Sequence, residues 1–234
     1  MSRASWLAAG LVTVGCGAAS ASVPTANPPA AGRVQREMVR SRRGSSDTVR
    51  IEAIVDEAGV RLLRADHAQG GQTVRSLPPE AEARLSQRVD PESGAVVVAL
   101  GQDLAFALGA ELSTALSLAP FGATGLARDG EGETQLALGV PADSVIPRIV
   151  PVRCVHARAE VLRCEGRLDR VLALGAGAEE VRASLEGTVS LEVAFSGAIP
   201  MRCELELRFD VVTRFGEVEE HDPNEVRLRT NLAP

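Results

Sequence analysis

The chain contains no lysine and no tyrosine, and its one tryptophan is Trp6. Aromatic residues make up 3% of 234 residues, so the stacking platforms that hold single-stranded nucleic acid are missing. The same scarcity excludes the aromatic girdles of a transmembrane β-barrel. All 25 basic residues are arginine, against 31 acids and a net charge of −6. An acidic chain without clustered basic residues does not suit a phosphate backbone, which draws on such clusters. The absence of lysine reads as codon composition rather than as a set of anion sites. No apolar run reaches the length of about 20 residues that a membrane-spanning helix needs. Paired C-x-x-C, H-E-x-x-H, G-x-S-x-G and the calcium-loop pattern are also absent. Nothing therefore marks a metal, a cofactor or a catalytic residue.

What is present begins with an address. Arg3 precedes the apolar run Trp6–Val14, and Ala18–Gly32 is rich in Ala, Ser and Pro. A charged start, a short apolar run and small residues after it define a secretory signal. Thr13-Val14-Gly15-Cys16 resembles the lipobox of bacterial lipoproteins. The resemblance implies cleavage before Cys16 and lipidation of that cysteine. Acyl chains then anchor a domain that has no spanning helix. The chain divides into a signal peptide (1–15), a lipidated cysteine with an Ala/Pro-rich tether (16–32) and one globular domain (33–234). The implied location is the cell envelope, facing the periplasm. Gly17 rather than Asp after the cysteine leans toward the outer membrane. Cleavage after Ala19-Ser20-Ala21 would instead secrete the chain.

Alternation dominates the C-terminal third. Val181, Ala183, Leu185, Gly187, Val189, Leu191, Val193 and Phe195 hold odd positions, with Arg, Ser, Glu and Thr between them. After Ser196-Gly197-Ala198 the pattern resumes with Met201, Cys203, Leu205, Leu207, Phe209 and Val211. Such period-2 alternation predicts two long antiparallel strands with one buried face. Gly187 marks a bend or bulge. Further strands are expected at Val34–Ser41, Val49–Val55, Val60–Ala65, Gln72–Ser76, Ile146–Val152, Leu162–Leu168 and Val226–Leu232.

Helices are expected in the middle. Leu77, Ala81, Leu85 and Val89 recur every four residues, with Glu80 and Glu82 early and Arg84 and Arg88 late. Asp103 can cap Leu104–Leu118, which is apolar nearly all round and so expected to be buried. The expected fold is α+β, mainly antiparallel β: a strongly curved sheet with a long C-terminal hairpin and helices packed on one face.

Export places the cysteines in an oxidising compartment. With Cys16 lipidated, Cys154, Cys164 and Cys203 remain. Cys154–Cys164 has the parity to bridge a hairpin; Cys164–Cys203 is the alternative, and the unpaired thiol is expected to be buried and inert. Cys154, His156 and Cys164 could in principle ligate zinc, but a structural disulfide is the preferred reading. His67 and His221 read as loop residues and His156 as a strand-surface residue. Asp129–Glu133 reads as a solvated acidic turn, and Gly175-Ala176-Gly177 lacks the rest of a phosphate loop.

The expected function is non-enzymatic. A curved sheet with an apolar helix over it can enclose an apolar ligand. Leu104, Leu108, Leu112, Phe195, Met201, Leu205, Leu207 and Phe209 are the candidate wall. Expected partners are the membrane, through the anchor, and an apolar ligand, with no nucleic acid and no cofactor. The alternatives are a structural or interaction lipoprotein with a filled core and, third, a secreted enzyme.

Overall fold

A computed structural model describes residues 31–56, 59–77, 84–89, 96–99, 109, 111–116, 118, 130–140, 144–174, 181–197, 199–215 and 217–233. The predicted signal, Cys16 and tether lie outside these residues, as do Leu104, Leu108, Asp129 and Gly175-Ala176-Gly177.

Among the described residues, twelve antiparallel strands form one sheet. In chain order they are β1 (Gly32–Arg42), β2 (Ser45–Asp56), β3 (Gly59–Gln69), β4 (Gln72–Ser76), β5 (Arg84–Val89) and β6 (Val96–Ala99). Then follow β7 (Gly132–Ala137), β8 (Ile149–Arg158), β9 (Val161–Leu174), β10 (Val181–Ser196), β11 (Ile199–Phe215) and β12 (Val218–Ala233). The order is β6-β5-β3-β2-β1-β12-β11-β10-β9-β8-β7, with β4 paired to β3 off this path. Neighbours in sequence are mostly neighbours in space. Among the exceptions, β1 pairs with β12, which brings the two ends of the described chain together, and β6 and β7 lie at opposite ends. The sheet is open, with β6 and β7 at its ends.

The predicted alternation sets the faces. Leu185, Val189, Leu191 and Val193 of β10 and Cys203, Leu205, Leu207 and Phe209 of β11 are buried in a core that runs across the sheet. The β10–β11 register is continuous through Gly187 and shifts between Ala194 and Phe195, so the expected bulge lies elsewhere. Gly187 instead makes room: an added Cβ would stand 2.1 Å from the Arg208 carbonyl and 2.7 Å from Phe209 Cα. Two-residue turns with φ of 46° and 80° at Arg43-Gly44, and 58° and 83° at Gly70-Gly71, close the β1–β2 and β3–β4 hairpins. Positive φ at both central residues matches the twist of the flanking strands.

The expected helices and strong curvature are not supported; the chain is mainly antiparallel β. The segment expected as a helix over 79–89 is strand β5 from Arg84 onward, with Leu85 opposite Val60. Four-residue spacing is degenerate, because residues i and i+4 share a face in a strand as they do in a helix. Helix is described only at Gly109 and residues 111–116, inside the predicted Leu104–Leu118. The Leu118 amide donates to the Thr114 carbonyl at 2.9 Å, which carries the helical bonding to that point. Of the expected acidic turn, Gly132 and Glu133 belong to β7. His221-Asp222-Pro223, expected as a loop, lies within β12. Pro223 is tolerated there because pairing with β1 stops at Asn224, leaving its missing N–H on an unpaired side.

Candidate apolar-ligand site

The site is built on β1, the strand that joins the two halves of the sheet. Its even positions Val34, Arg36, Met38 and Arg40 face the core. Val34 and Met38 are buried, and so is Arg36, at 3% exposure. Register places Arg36 in a row with Ile51, Thr230, Cys203 and Val193. A guanidinium there is expensive to desolvate, and burial pushes its pKa down to about 10. Its hydrogen bonds meet that cost in part. Nε donates to Thr230 Oγ1 at 3.0 Å, and Nη1 donates to the carbonyls of Ala115 and Leu118, both at 2.9 Å. Ala115 lies within the described helix and Leu118 just beyond it.

Arg40, four residues along β1, holds the same helix at Glu111. Its Nη1 donates to Glu111 Oε1 at 2.9 Å, and Nη2 reaches Asn224 Oδ1 at 3.4 Å. Four strand residues span roughly 13 Å and the seven steps from Glu111 to Leu118 span roughly 10 Å. Two arginines of matching parity therefore hold this segment at two points, Glu111 and Ala115–Leu118. The clamp is incompletely satisfied: Arg40 Nε and Glu111 Oε2 are buried without a hydrogen-bond partner. Leu112, Ala115, Leu116 and Leu118 are buried in the same cluster as the sheet's apolar face.

Of the candidate wall, Leu112, Leu205 and Leu207 are 0–2% exposed, Phe195 and Phe209 6–7%, and Met201 is half-buried. These side chains fill a core in this conformation; they do not line an open chamber. The described grooves lie instead on the opposite, charged face. A groove of about 400 Å³ crosses β1, β12, β11, β10 and β9, lined among others by Glu37, Arg229, Glu204, Glu192 and Arg163. Its charges are paired: Arg229 Nε with Glu204 at 2.8 Å and Arg163 Nη2 with Glu192 at 2.9 Å.

Cys154 and Cys164 stand opposite each other on β8 and β9 and are joined by a disulfide, with Cα atoms 4.0 Å apart. Of the two pairings open to the sequence, this is the one formed, and it removes both sulfurs from any zinc site with the exposed His156. Cys203 is free and buried, and burial pushes its thiol up to about 12 despite the neighbouring Arg36. His67 Nε2 lies 2.8 Å from Asp47. His221 sits between Asp210, 2.6 Å away, and Glu219, 3.0 Å away; the Asp210 hydrogen bond chiefly raises its pKa. Among the described residues no group of His, Cys, Asp and Glu is arranged to hold a metal, and no helix is long and apolar enough to cross a membrane.

The arginine clamp was not singled out from sequence. Its signal is Val34-Gln35-Arg36-Glu37-Met38-Val39-Arg40, where two arginines take the parity of Val34 and Met38. Parity alone leaves open whether such arginines lie on a solvated strand end or inside. No protein-family model, no curated protein and no solved structure matches the chain. The class is thus set by fold and site alone: an open antiparallel sheet carrying a polar clamp on its apolar face.

Proposed function

We propose that the protein is an exported, lipid-anchored component of the bacterial cell envelope, without enzymatic activity, that takes up an apolar ligand between its sheet and the clamped helix. The clamp formed by buried Arg36 and part-buried Arg40 carries this reading. A buried ionic contact contributes little net stability compared with well-packed apolar side chains, and its best-attested use is as a register or switching device. The helix is thus held by contacts that can be exchanged, over a surface that is apolar. Displacing Leu112, Ala115, Leu116 and Leu118 would open a trough walled by Leu205, Leu207 and their neighbours, as ligand sites of this kind require. The disulfide supports export, because such bonds persist in oxidising compartments. The lipobox-like Thr13–Cys16 supports the anchor, and Gly17 rather than Asp after the cysteine favours the outer membrane.

A second reading, a structural or interaction lipoprotein, is favoured by one observation: the candidate wall belongs to a single filled core. Native mass spectrometry of the full chain, expressed with its own leader and purified from the envelope, separates the two. A bound lipid-sized mass that leaves on denaturation supports the ligand reading. A bare protein mass, unchanged after incubation with envelope lipid extract, overturns it in favour of the second.

A further inference from the structure

We draw no further inference here: the strongest candidate, the row of carboxylates that register sets side by side on the charged face of the sheet, Asp169 of β9, Glu186 of β10 and Asp210 of β11, is an acidic cluster to which no second observation assigns a ligand, since Asp210 is already bonded to His221 and no group of His, Cys, Asp and Glu among the described residues is arranged to hold a metal.

Discussion

At the scale of single residues, the chain departs from simple patterning at a few places with identifiable physical work. Gly187 is one. It lies opposite Phe209, and the space a Cβ would occupy is taken by the backbone of β11. Gly187→Ala therefore forces the strands apart and should destabilise the fold by about 1–3 kcal/mol, the usual cost of overpacking. Urea unfolding with an unchanged slope measures it; a loss below a few tenths would refute the close approach. His221 is another. Asp210 and Glu219 raise its folded pKa above the ordinary 6.5. A raised pKa stabilises the fold below the unfolded value, and that increment is lost as pH rises through the folded value. The side chain is exposed, so the increment is small. His221→Asn should flatten the stability profile between about pH 6 and 8, just above the ordinary histidine range. Titration of the ring protons by NMR reads the same shift directly.

At the scale of elements, the hairpin of β8 and β9 combines a sheet ladder with a covalent cross-link. Cys154 and Cys164 are 10 residues apart, so the ring they close is short. A 15-residue loop is worth about 3 kcal/mol in the chain-entropy treatment, and this one somewhat less. Replacing both cysteines by alanine should lower the unfolding free energy by about 2–3 kcal/mol, a range that includes a small loss of packing. A variant as stable as the native chain would show that the bridge does not constrain the unfolded ensemble. The helix at 111–116 is held differently, by two arginines of β1. Which elements form was partly legible: the long strands declared themselves because charged residues alternate with apolar ones on a sheet with one wet face. Segment 79–89 misled because its four-residue repeat satisfies both periods. The short β6 and β7 were missed because four to six residues carry too little periodicity to register.

At the scale of the whole molecule, one apolar face extends over the sheet, and Cys203, the free thiol among the described residues, reports on it. Cys203 is 2% exposed, and burial raises its pKa to about 12. Thiolate is the reactive form, so the native protein should resist alkylation. Labelling at pH 8 should proceed only through opening of the core, at a rate that tracks unfolding as urea is added. Rapid labelling in native buffer, at a rate near that of the unfolded chain, would contradict the buried position.

Strand parity, hairpin turns and the cross-strand cysteine pair were all decided locally, by residues within about a dozen positions of each other. Short-range chemistry is what one sequence displays. The pairing of β1 with β12 was decided only in three dimensions, because it joins segments 194 residues apart, as in Arg36 and Thr230. The clamp depends on that pairing and on a helix 79 residues away from Arg36. No periodicity encodes such distances. An arginine in a strand looks the same on paper whether it meets water or the end of a helix, and only packing distinguishes them.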